Sequence, residues 1–322
     1  MTVAFSVRAR SGNFRSLALS CHTRPAASIL LGVMADQESP SKAGGSPAIS
    51  LAALFLLPVS PRLHEGDGNW ARAGRWLPLW GLATGILYVG VFGVTWRYFG
   101  EYHGIRWIPA AAVLAVDLGL LGYRLLSGSV RLVTGQTDED HRSLALTLPA
   151  ILPVVLVAIL KFALLVSLRR GHWQSAPAGA WQWDSIFGHL GFLYPQPIYR
   201  PLVLMPLWGR WAMSLALSIG RPAPNASGRL KTMANRSSLP VIFGQWLLCA
   251  LLTVVYCSGS GEHVARSIII ALNLLMVAYL ASFALSRKEN GQTESTVTAI
   301  GLVGELTFLA LYASLSSAIY WY

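Results

Sequence analysis

Four acid-rich or charged groups in this chain have residue types that could do chemistry. Asp138-Glu139-Asp140-His141 is the densest acidic cluster. Carboxylate oxygens of this kind suit Mg²⁺, which takes one or two of them together with substrate phosphates, although an acidic run in a loop is also what a solvated surface looks like. Asp117 and Lys161 lie inside long apolar runs. Ionisable groups at such positions are functional candidates, and their places on neighbouring runs allow an ion pair; a structural pair or a lysine reaching for the interface gives the same sequence. Arg210, in PLWGRWAM, is placed early in its run and near the interface. Its planar fork fits phosphate, lipid headgroups or helix-terminal carbonyls. Glu305, in GLVGELTFL, sits in mid-run, where a carboxylate is costly unless paired or protonated.

Other groups read as structure. His64-Glu65-Gly66-Asp67 lacks helical ligand spacing and reads as a turn. Cys21, Cys249 and Cys257 form no paired spacing and read as small core residues. The chain has no phosphate-binding loop of the Walker type, dinucleotide fingerprint, CxxC pair or GxSxG elbow.

The elements that must hold these residues are set by composition. The 322 residues are 54% hydrophobic and 12% charged, about half the charged fraction of a soluble domain. Mean hydropathy is positive. A bilayer core about 30 Å thick needs about 20 apolar residues per helix, and backbone groups inside it must be satisfied internally. The apolar runs are continuous rather than alternating, so they read as helices. Seven spans are expected, at 76–96, 108–126, 144–168, 201–219, 239–257, 267–285 and 297–320, with a short half-helix at 49–57 that ends at Pro58 and Pro61. The fold class is therefore an all-α polytopic membrane bundle. The membrane-embedded domain covers 48–322. Residues 1–47 read as an extension outside it: either a targeting segment, with Arg8, Arg10, Arg15 and Arg24 and no acid up to residue 35, or the product of an early start with Met34 as the true first residue, which is the preferred reading. Residues 35–47 then form a polar, disordered lead-in.

A net charge of +11 raises the question of nucleic acid. The basic residues are scattered one or two per loop, which is the pattern of topology signals and lipid-facing anchors, and no nucleic-acid partner is expected. Loops 59–75, 127–143, 220–238 and 286–296 hold nearly twice as many Lys and Arg as the alternate loops. They should share the cytoplasmic face. The sequons at Asn225 and Asn235 fall on that face and are not expected to carry glycans. The loop 169–200, with Trp173, Trp181, Trp183 and Tyr194, should lie along the opposite membrane surface.

Four patches then carry a resemblance. LFLLPVSP with ARAGRWLPLWGLATGIL (71–87), LKFALL (160–165), LMPLWGRWAMSLAL (204–217) and NGQTESTVTAIGLVGELTFL (290–309) occur in the order and spacing of the cobalamin synthase family. The chain resembles these adenosylcobinamide-GDP ribazoletransferases over most of 49–320. The resemblance implies an inner-membrane enzyme of cobalamin biosynthesis that joins α-ribazole or its 5′-phosphate to adenosylcobinamide-GDP and releases GMP, with Mg²⁺ as cofactor. It implies catalytic roles for Arg210, as a phosphate holder, and for Glu305. It also implies a substrate loop at Gly291, Thr293 and Glu294, and a metal held by Asp138, Glu139 and Asp140. Partners on the same reading are the corrinoid nucleotide, α-ribazole and the bilayer, with a homo-oligomer as an admissible assembly. The chain departs from the family where the acidic motif belongs. There it reads LLSGSVRLVTG (125–135), with Arg131 and no carboxylate, and Ser295 replaces an expected aspartate beside Glu294. Asp138–Asp140 lie just downstream and would have to take over. Two further readings follow from those departures: a catalytically silent relative that binds corrinoid or a partner subunit, and, more distantly, a small-molecule transporter.

Overall fold

The structure, a computed structural model, describes residues 74–100, 107–121, 130, 148–168, 199–257 and 261–317. A short 3₁₀ turn, Gly74–Trp76, leads into α1 (Leu77–Thr95), whose first turn carries Pro78, where a missing N–H costs nothing. Then come α2 (Trp107–Val116), α3 (Leu148–Ser167), α4 (Tyr199–Ile219), α5 (Gly228–Arg236), α6 (Leu239–Cys257), α7 (Gly261–Lys288) and α8 (Glu294–Ser317). Among the described residues there is no strand; one isolated bridge joins Pro222 to Gln292.

Five helical stretches, 74–99, 199–219, 239–257, 264–288 and 294–315, are long and apolar enough to cross a bilayer. The apolar stretches of α2 and α3, Trp107–Gly119 and Leu152–Ser167, are shorter. The chain is thus a membrane-type helix bundle, with five such helices among the described residues, where the hydropathy pattern of the whole chain suggests seven. The half-helix at 49–57, the extension at 1–47 and most of the loop at 169–200 lie outside the described residues.

Helix α4 is the axis of the bundle. Every residue from Pro201 to Leu217 is buried, so its apolar surface is covered on all sides, as the all-round hydrophobic pattern requires. Lipid tails are as apolar as leucine, so close packing and polar contacts must hold such helices together. On one side α1 meets α4 through Gly81 and Gly85, spaced four apart. A Cβ at Gly81 would meet the backbone of Pro206 and Leu207, and one at Gly85 the backbone of Val203. On the other side α8 lies against α4 through Gly301 and Gly304, which face Met213 and Ala212.

Indole N–H groups add polar links between helices. Trp208 donates to Thr253 Oγ1 at 2.9 Å, Trp211 to the Ile242 carbonyl at 3.3 Å and Trp246 to the Ala271 carbonyl at 3.2 Å. They join α4 to α6 and α6 to α7. Outer faces remain apolar: Leu152, Leu156 and Ile159 on α3 and Leu247, Leu251 and Leu280 on α6 and α7 are all at least half exposed, as lipid-facing side chains should be. Cys249 and Cys257 are free and buried, which fits the core reading of both.

At one end of the bundle the connections converge. Ser214 Oγ donates to the Gly74 carbonyl at 3.1 Å, and Gln245 Nε2 to the Arg75 carbonyl at 2.8 Å. The Gln292 N–H donates to the Arg221 carbonyl at 2.8 Å and the Ala223 N–H to the Gln292 carbonyl at 2.9 Å. Three of the four basic loops, those ending at 75 and spanning 220–238 and 286–296, therefore share one end. Within 220–238 the expected loop contains α5. Its N-cap is Ser227, whose Oγ accepts from the Leu230 N–H, and Leu230 and Met233 are fully buried beneath it.

Candidate functional site: a buried ion network

The charged residues of the apolar runs come together in one network. Lys161 Nζ on α3 lies 2.5 Å from Asp117 Oδ2 and 2.6 Å from Glu305 Oε2 on α8. Arg210 Nη1 on α4 lies 3.3 Å from Glu305 Oε1. The Tyr88 hydroxyl on α1 donates to Asp117 Oδ1 at 2.5 Å. Asp117 opens a five-residue π-wound segment that continues α2, Asp117–Leu121; such turns often occur at functional positions. All four charged residues are at most 2% exposed.

Two carboxylates face two cations, so the cluster can be buried without net charge. Desolvating each ion costs several kcal/mol, and only close partners with further hydrogen bonds offset that. Lys161 and both carboxylates meet the requirement: the ammonium has two acidic partners, Asp117 is closed by Lys161 and Tyr88, and Glu305 is closed by Lys161 and Arg210. Glycine makes room for the last pair. A Cβ at Gly209 would run into the Glu305 side chain. Arg210 is only partly satisfied. Its Nη1 also lies 3.9 Å from Met213 Sδ, while Nε and Nη2 are buried and meet no acceptor among the described residues. That Nε–Nη2 edge is the side of a guanidinium that pairs with a two-oxygen group.

The expectation that Arg210 lies near an interface is not met. Helix α4 begins at Tyr199, which leaves Arg210 near its middle and fully buried. The Asp117–Lys161 pair agrees with the expectation from neighbouring runs, and Glu305 is paired, as a mid-run carboxylate must be. Tyr88 was not singled out in the sequence. A phenol carries no charge to mark it, and its one signal is a tyrosine in mid-run, facing the same side of α1 as Gly81 and Gly85.

The expected substrate loop is built as a helix start. Gly291 adopts φ +139° and is buried, with the backbone of Ala223 and Arg221 where a Cβ would be. Thr293 caps α8: its N–H donates to Thr296 Oγ1 at 2.8 Å, and its own Oγ1 accepts from the Thr296 N–H at 3.2 Å, a reciprocal capping arrangement. Glu294 Oε1 accepts from Ser227 Oγ at 2.5 Å, which ties the starts of α5 and α8 together. Through these contacts the three residues fasten the start of α8 to α5 and to the segment at 221–223.

No group of three or more His, Cys, Asp or Glu side chains that could hold a metal ion occurs among the described residues. Asp117 and Glu305 are spent on cations and a phenol, so they do not fit a divalent metal. Asp138, Glu139 and Asp140 lie outside the described residues.

No family model matches the chain, and no curated protein or solved structure matches it.

Proposed function

We propose that the chain is a divergent membrane transferase of the cobalamin synthase type, with seven spans and its basic loops at the cytoplasmic face of the inner membrane. The reaction proposed is transfer of adenosylcobinamide phosphate to α-ribazole or its 5′-phosphate, with loss of GMP. One observation carries the reading. The four patches of resemblance supply Gly81 and Gly85 on α1, Lys161 on α3, Arg210 on α4 and Glu305 on α8, and these residues meet in the packing and charge network around α4. In this reading Arg210 offers its free Nε–Nη2 edge to a phosphoryl oxygen pair, and Glu305 fixes the guanidinium from its other end. Phosphoryl transfer depends on such positioning and charge neutralisation.

The second reading is a silent relative that binds corrinoid without turning it over. It is favoured by the absence of any carboxylate in 125–135 and by the engagement of both described buried acids in ion pairs. One assay separates the two. The purified protein is mixed with adenosylcobinamide-GDP, α-ribazole and Mg²⁺, and GMP release is followed. Release that EDTA stops supports transfer and directs attention to Asp138–Asp140, where the pair Asp138→Ala with Asp140→Ala should abolish it. Bound cobinamide without release supports the silent relative. Neither binding nor release would reject the resemblance itself.

A further inference from the structure

We infer that the end of the bundle bearing α5 is a binding surface for acidic phospholipids, whose phosphates meet its cations while their acyl chains lie along α6 and α7. The inference is independent of the transfer reaction and needs only the membrane-type bundle.

Height comes first. The surface is formed where α1 starts at Leu77, α4 ends at Ile219, α6 starts at Leu239 and α7 ends at Lys288. Helix ends in a bilayer lie at the headgroup level, where lipid phosphates are. Helix α5 is laid across this end. Leu230 and Met233 are buried on its inner side, while Lys231 is exposed, the pattern of a helix lying in the interface plane.

Charge comes next. Arg75, Arg221, Lys231 and Arg287 are all exposed and come from four different segments held together at this end. Lys231 Nζ leans on the Pro224 carbonyl at 2.9 Å, and the Arg287 guanidinium sits 4.5 Å above the exposed Phe283 ring. The described acids here are Glu289 and Glu294, both half-buried, and Glu294 is engaged by Ser227. Among the described residues the surface is therefore strongly cationic.

The same region is apolar toward the bundle's flank. Leu239 and Phe243 at the start of α6 are more than half exposed, as is Leu280 near the end of α7. Cations beside exposed aliphatic and aromatic side chains match a molecule with a phosphate at one end and hydrocarbon at the other. A soluble phosphate would use only the first half of that surface. Juxtamembrane Lys and Arg attract anionic lipid in this way, and the attraction weakens with salt.

The test uses the full chain in detergent. Thermal unfolding is followed with added phosphatidylglycerol, phosphatidylcholine of the same acyl length, or inorganic phosphate, and native mass spectrometry counts the lipids that stay bound. The expected result is a larger upward shift in Tm and greater retention with phosphatidylglycerol than with phosphatidylcholine. Raising the salt should remove the difference. The variant Arg75→Gln/Arg221→Gln/Arg287→Gln should lose the preference but keep the phosphatidylcholine response. Equal response to the two lipids in the unmodified protein overturns the inference, whether or not the variant folds. A shift reproduced in full by inorganic phosphate overturns it too, because it identifies a soluble-anion site.

Discussion

Lys161 is the residue on which the buried network depends, since among the described residues it alone touches both carboxylates. Lys161→Met would keep most of the side chain's volume and leave Asp117 without a cation and Glu305 with only the 3.3 Å contact to Arg210. Breaking a buried pair from one side costs about 3–5 kcal/mol, because the remaining charge stays desolvated. Tyr88→Phe removes one hydrogen bond to Asp117 and should cost less, about 1.5–3 kcal/mol, as for a hydrogen bond to a charged group. Reversible denaturation in detergent should show this order. Equal losses would mean that Asp117 is held mainly by the phenol and that the ammonium adds little. The charges themselves were legible in the sequence, because a lysine or glutamate inside an apolar run cannot be ignored. Their full pairing was not. Lys161 and Glu305 are separated by 144 positions and Arg210 and Glu305 by 95, and nothing local to any of the three residues names its partner.

At the level of the helices, small residues decide how near α1 comes to α4. Gly81→Leu or Gly85→Leu would drive a side chain into the backbone of Val203, Pro206 or Leu207. Backbone cannot yield as a flexible side chain can, and the expected loss is at least about 1–3 kcal/mol, the range for overpacked cores. Gly90→Leu, on the same helix but with nothing within 4 Å of the added atom, should be close to neutral. Thermal unfolding of the three variants in detergent checks the contrast, and a comparable loss at Gly90 would mean that the α1–α4 interface does not set the effect, since leucine is itself a better helix former than glycine. The long helices were visible in the hydropathy pattern because length and apolarity are local properties. Helix α5 was not. Its nine residues, GRLKTMANR, are mostly polar and too few to form a stable helix alone. It exists because Ser227 caps it, Glu294 fastens that cap, and Leu230 and Met233 find a core to cover. The depth of Arg210 was misjudged for a related reason. Position alone already put it at mid-run, tenth of the nineteen residues 201–219, but an arginine in an apolar run suggests an interface until a partner such as Glu305 is known to lie beside it.

On the scale of the whole molecule, five bilayer-length helices and an apolar exterior predict that the protein stays in the membrane pellet through an alkaline carbonate wash. Recovery in the wash supernatant would contradict the membrane assignment. The bundle's organisation was only half legible in the sequence. Charge alternation grouped the loops that the structure brings to one end, because the groups that anchor a helix end are written beside it. That α4 would be the axis could not be read, since enclosure depends on every other helix. This enclosure also has a consequence in time. The ribosome completes Arg210 well before Glu305, and at roughly 5–20 residues per second the intervening 95 residues take roughly 5–20 s to synthesise. During that interval the central helix has no carboxylate for its guanidinium and no α8 to cover its flank. The nascent chain must keep α4 out of bare lipid, at the surface or in the care of an insertion factor, until α8 arrives. A chain stopped before Glu305 should therefore be cleared much faster than the full-length protein in a pulse-chase experiment, and Arg210→Met should slow that clearance. The helix that carries Glu305 decides whether the central one can stay.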